Sequence, residues 1–168
     1  MATDLVDGLP AGATNTIHVG MLNLARTMQD VENHRGELEA FAGEEIVNRM
    51  PERVPVTLAH QVEVAAVLGN AAPAERLYRA FQPYHDQIVI GGMGDGCQGA
   101  VDRFLGILAS MLGRFDQAEA HFETALVLEA GLRSPPLVAR TYLVRPGAAG
   151  ARRWRHRPRP SGRVAQVG

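Results

Sequence analysis

Residues 105–130, LGILASMLGRFDQAEAHFETALVLEA, decide the fold. Leu105, Leu108 and Leu112 recur at spacings of three and four, the signature of one apolar helix face. Gly113 follows, a residue that reaches backbone angles others resist. Beyond it, Phe115, Ala118, Phe122, Ala125 and Leu126 mark a second apolar face. The stretch predicts two helices joined by a tight turn. Gly106 and Ala118 are small enough to let them approach closely, and Phe122 is expected to fill the gap between them.

The order of these residues carries further information. Leu105, Gly106, Gly113, Ala118, Phe122 and Ala125 follow the tetratricopeptide spacing. Parts of it recur earlier. Leu68-Gly69 aligns with Leu112-Gly113, and Ala74, Glu75 and Tyr78 each stand 44 residues before Ala118, Glu119 and Phe122. Gly36 and Gly69 are 33 residues apart, close to the tetratricopeptide period of about 34. An insertion over residues 86–96 accounts for the longer interval.

Read in order, the chain gives a frayed start over residues 1–14. An amphipathic helix follows, with Ile17, Met21, Leu24 and Met28 inward. A second helix, Glu37 to Arg49, turns Leu38, Phe41, Ala42 and Ile46 inward. A third, from Pro55 to Leu68, faces the core with Leu58, Val62, Ala65 and Leu68. A fourth, Pro73 to Tyr84, does so with Ala74, Leu77, Tyr78 and Phe81. Ser134, Pro135 and Pro136 open a seventh helix, Leu137 to Leu143. The expected fold is all-α: three helical hairpins stacked right-handedly over residues 15–143, with one extra helix. Each hairpin buries against its neighbour an apolar stripe it cannot bury alone.

From Val144 the pattern stops. VRPGAAGARRWRHRPRPSGRVAQVG has no periodicity, three Pro and seven Arg, and residues 144–168 read as a disordered tail. The repeat ends in mid-hairpin, as a truncated or frame-shifted coding sequence would. The chain has 168 residues, one domain by length, and no Lys. Residues 1–144 carry ten Arg against eighteen acids, a balance of −8, while the last 24 residues carry +7. One cysteine, Cys97, excludes an internal disulfide and a cysteine-based zinc site. The start of the chain lacks the basic residues of a secretory signal, and no apolar run approaches a membrane span. A cytoplasmic protein that does not engage membranes is expected.

The chemistry-bearing features are few. Ile88–Ile90 reads as a strand, and Gly94, Gly96 and Gly99 match G-x-G-x-x-G before a helix, with Asp116 placed for a ribose contact. Three residues intervene after the strand, however, and no further strand is evident to build a parallel sheet. A flexible loop turning at Asp95-Gly96 competes with the nucleotide-binding reading. The histidines at 18, 34, 60, 85 and 121 are scattered singly, without H-x-x-x-H spacing. Cys97, at an expected helix start, has no sequence-near base. No catalytic, cofactor-binding or metal-binding residue is assigned. The Arg tail, with Trp154 among Arg152, Arg153, Arg155 and Arg157, offers a second function, nucleic-acid binding.

Residues 20–143 resemble the C-terminal helical-repeat region of large actinobacterial signalling regulators. The likeness is sharpest in LYRAFQPY, in Val89–Gly92 with Gly99–Arg103, and in GRFDQAEAHFETAL. That family couples STAND-type or AAA-like ATPase modules to tetratricopeptide-like repeats, together with a LuxR-type helix-turn-helix or a nucleotide cyclase. The resemblance implies a regulatory, partner-binding role in signal transduction and transcriptional regulation. It brings no activity, because this chain has no P-loop and no cyclase motif. The expected function is a non-catalytic protein-interaction module, a fragment of a larger regulator. It would dock a peptide or sister domain on a concave face lined by the first helix of each pair. Gln61, Gln98, Asp102 and Arg103 are the candidate partner-binding residues. Apolar helix faces at uncapped ends predict self-association.

Overall fold

A computed structural model describes residues 31–43, 54–91 and 96–146. The expectations for residues 1–30, for 44–53 including Ile46, for Gly94 and for the tail from 147 lie outside the described residues. The elements run α1 (Arg35–Gly43), α2 (Val54–Leu68), α3 (Ala74–Phe81) with a 3-10 turn (Gln82–Tyr84), β1 (Ile88–Gly91), β2 (Gly96–Ala100), α4 (Val101–Met111), α5 (Phe115–Gly131) and α6 (Pro135–Val144). The fold is mostly α, with one two-stranded sheet. No helix of the described residues is long and apolar enough to cross a membrane.

Most of the predicted inward residues are buried, while Leu68, Phe115 and Leu126 are half-buried. Leu38, Phe41 and Ala42 of α1, Leu58, Val62 and Ala65 of α2, and Ala74, Leu77, Tyr78 and Phe81 of α3 all lie in the core. The helix pairs α2/α3 and α4/α5 close with the same turn. Gly69 and Gly113 both take positive φ, +65° and +77°. Behind Gly69, its N–H donates to the Ala66 carbonyl and that of Asn70 to Ala65; behind Gly113, its N–H donates to Ser110 and that of Arg114 to Ala109. Each turn is a Schellman motif, which needs a left-handed residue after the helix end. At the crossing of α4 and α5 the Phe122 ring fills the space over Gly106.

Helix α4 is the axis of the molecule: residues 101–110 are all buried. It packs against α2, α3 and α5, while α1 packs on α2 and α6 on α5. Phe81 and Phe104 meet with ring centroids 5.6 Å apart in this core. Two side chains from the next helix pair reach carbonyls of α1. Gln61 Nε2 donates to the Phe41 carbonyl at 2.9 Å, and Arg76 Nη2 donates to that of Ala42 at 2.8 Å.

The sheet corrects the all-α expectation. β1 pairs with β2 antiparallel, and the pair packs against α2 and α5. Strand β2 was not expected, since Gly96-Cys-Gln-Gly-Ala has neither β-branched nor aromatic residues. Tertiary bonds hold it instead: the Ala100 N–H donates to Glu129 Oε1 at 3.0 Å, and the Val101 N–H to the Gln87 carbonyl at 2.9 Å. Val89 pairs with Gly99 and Ile90 with Cys97, so Gln98 is an extra residue in the ladder, a β-bulge. Cys97 is exposed within this strand rather than at a helix start.

Candidate binding groove

Helices α2, α4 and α6 line one cavity of about 410 Å³. Glu63, Ala66 and Val67 contribute from α2, Arg103, Ile107 and Ser110 from α4, and Arg140, Leu143 and Val144 from α6. Each set recurs at three or four residues, one stripe per helix. Five of the nine lining residues are aliphatic and four polar, and none is aromatic. Its mouth is apolar: Leu143 is 84% exposed and Val67 38%.

The polar floor is a network of two arginines and two glutamates. Arg103 is buried, and its Nη2 donates to the carbonyl of the bulged Gln98. Its Nη1 stands 4.0 Å from Glu63 Oε1 and its Nε 3.8 Å from Glu129 Oε1. Neither contact is a hydrogen bond, and Nε has no hydrogen-bond partner. Both carboxylates are engaged elsewhere. Glu63 Oε1 accepts from Arg140 Nη2 at 2.8 Å. Glu129, fully buried, accepts from the Ala100 N–H through Oε1 and from the Thr141 hydroxyl through Oε2 at 2.6 Å. Burial pushes the Arg103 guanidinium down to about 10, and the like charge of Arg140 adds to this against the pull of Glu63 and Glu129.

A second polar chain crosses α3, α4 and α5 away from the cavity. His121 Nδ1 lies 2.7 Å from Asp102 Oδ1, and His121 Nε2 lies 2.9 Å from the Tyr78 hydroxyl. Asp102 Oδ2 also accepts the N–H of Asp86 at 2.8 Å. Burial would raise the Asp102 pKa, but the bonds from His121 and Asp86, with the histidine charge, hold it below its ordinary value of 3.8. The chain ties three helices to the turn before β1.

The four candidate partner-binding residues separate. Gln61, Asp102 and Arg103 are 1%, 3% and 2% exposed; Arg103 reaches the cavity floor, whereas Gln61 and Asp102 are not among its lining. Gln61 ties α2 to α1 through the Phe41 carbonyl, Asp102 orients His121, and Arg103 holds the bulge and forms part of the cavity floor. Gln98, half-buried, gives its carbonyl to Arg103. Packing of neighbours around α2 and α4 turns Gln61, Asp102 and Arg103 inward. Glu63, Arg140 and Glu129 were missed. Glu129 carried a signal, since it falls on the stripe of Phe122 and Ala125, the inner face of α5. Gly96 and Gly99 of the G-x-G-x-x-G segment lie on β2, antiparallel to β1, and Gly99 (φ +103°) faces Glu129 and Arg103 rather than open space. Among the described residues no group of three or more His, Cys, Asp or Glu is placed to hold a metal ion. Comparison with known proteins finds no family model, no curated protein and no solved structure that matches the chain.

Proposed function

We propose that this chain is a non-catalytic protein-interaction module of tetratricopeptide-like repeats, belonging to a larger cytoplasmic regulator and docking its partner on the face formed by α2, α4 and α6. The observation that carries the reading is the shared groove. Three helices, α2, α4 and α6, bring one stripe each to one concavity with a charged floor and an aliphatic rim. The matching turns at Gly69 and Gly113, 44 residues apart, support a repeated unit. Exposed apolar residues at the rim are what a docking face offers.

A two-hybrid screen with the full chain, followed by two point variants, tests this. Leu143→Glu places a charge at the rim; Val127→Glu places one at an exposed site of α5, 73% exposed and outside the cavity lining. Binders lost with Leu143→Glu and kept with Val127→Glu are the expected result. Binders indifferent to both variants, or none at all, contradict the docking face.

A further inference from the structure

The two edges of the small sheet differ. On β2 the Ala100 N–H donates to Glu129 Oε1 at 3.0 Å and the Gln98 carbonyl accepts from Arg103 Nη2, so this edge is closed by α4 and α5. The edge of β1 is open. The Val101 N–H donates to the Gln87 carbonyl at 2.9 Å. In the alternation of an antiparallel ladder, Gln87 and Val89 therefore turn their peptide groups to β2, and Ile88 and Ile90 turn theirs away. Among the described residues no backbone hydrogen bond outside the ladder ends on Ile88 or Ile90. The side chains alternate in the same way: Val89 is buried, while Ile90 is 69% exposed. An edge with unpaired N–H and C=O groups is a template for another strand, and it is ordinarily blunted by charge, Pro or a bulge. Ile-Val-Ile-Gly has neither charge nor Pro, and the extra residue of the bulge lies on β2.

We infer that β1 pairs antiparallel with β1 of a second copy of this chain, joining the two sheets into one across a two-fold axis. The occupant follows from the self-complementarity of the edge, which is what an isologous contact requires. With Val89 on the axis, Ile88 stands opposite Ile90 of the second copy, and Ile90 opposite its Ile88. Each such pair exchanges both N–H···O bonds, because these are the residues whose peptide groups point outward. The isoleucine side chains meet across the strands on the open face, β-branched against β-branched, and cover Ile90. Asp86, 61% exposed on its side chain, then falls opposite residue 92 of the second copy. A slip of two residues would set this carboxylate against Ile90 instead, so the register is specified. The contact is smaller than a standard interface, which makes the dimer weak and reversible. No cavity-lining residue lies on either strand, so the dimer leaves the docking face open.

Sedimentation equilibrium and amide hydrogen exchange of the full chain test the inference, over about 10 µM to about 1 mM, a range suited to an interface below standard size. A monomer–dimer equilibrium is expected. The Ile88 and Ile90 amides, open in the monomer, should exchange about tenfold more slowly where about nine-tenths of the chain is dimeric. Ile90→Lys sets a charge on the edge, and Ile90→Pro removes one of its outward N–H groups. Each should weaken dimerisation about tenfold or more with an unchanged helical spectrum, since Ile90 lies outside the core. Tyr142→Lys, at a site of α6 that is 60% exposed, should leave dimerisation as it is and so separates the sheet edge from an uncapped helix face. A chain that stays monomeric over the whole range overturns the inference and leaves the edge to some other extended segment. A dimer whose Ile88 and Ile90 amides exchange as fast as in the monomer, or one undiminished by Ile90→Lys, overturns it as well. Either failure leaves partner docking standing, because the two-hybrid variants read that separately.

Discussion

Phe122 stands where a side chain on residue 106 would have to stand: a Cβ at Gly106 would lie 2.8 Å from the ring. Two helices packed this closely tolerate no methyl group on that side. Gly106→Ala is expected to destabilise the fold by about 1–3 kcal/mol through overpacking. Phe122→Leu in the same chain should relieve part of that cost, so the two effects are non-additive. Urea unfolding of both single variants and the double variant measures the coupling.

Gly99 is held by two requirements at once. Its φ is +103°, and a Cβ there would meet Glu129 Oε1 at 2.7 Å. Gly99→Ala should cost about 2–4 kcal/mol, combining backbone strain with displacement of a buried carboxylate. Glu129→Leu should be as severe, about 3–5 kcal/mol, because it leaves Arg103 charged in the interior with a weaker partner set. Thermal melts of the two variants against the wild type decide whether the network supports the fold.

Helices α2, α4 and α5 were legible because their apolar residues keep a helical period and because Gly69 and Gly113 mark the turns. The sheet was half legible. Ile88–Ile90 has strand composition, whereas β2 exists through bonds to Glu129 and Gln87 that no local pattern records. Polar residues were the least legible. Asp102 and Arg103 lie near the start of a helix enclosed on all sides, and only the packing of α2, α3 and α5 reveals that they face inward. The groove needed the third helix: Arg140 meets Glu63 across 77 residues of sequence.

Arg133 takes φ +51° at the end of α5, the position where the two earlier turns use glycine. A side chain there costs about 1 kcal/mol relative to glycine. Arg133→Gly is expected to stabilise the fold by up to about 1 kcal/mol and to raise the melting midpoint by a few degrees. A lowered midpoint would show that Arg133 makes a contact worth more than the strain.

Asp102 sets an acid dependence. Its folded pKa lies below its ordinary value of 3.8, so the ionised form is favoured in the native state. The stability this gives is present above the unfolded pKa and is lost as pH falls through the folded one. Asp102→Asn should be less stable than wild type at pH 7, with the difference shrinking below about pH 4. Denaturant melts of both proteins from pH 3 to pH 7 give the comparison.

The docking face requires that α2, α4 and α6 stand side by side, with Val67 of α2 and Leu143 of α6 lining one cavity. Thiol cross-linking measures this most directly. In a Cys97→Ser background, the pair Val67→Cys and Leu143→Cys, treated with a short bismaleimide, is expected to form an intramolecular cross-link. The pair Val67→Cys and Val127→Cys, with its second thiol outside the cavity lining, should not. Cross-linking in the first pair alone is the predicted result. Equal yields in both pairs, or none in the first, would contradict a groove shared by the three helices.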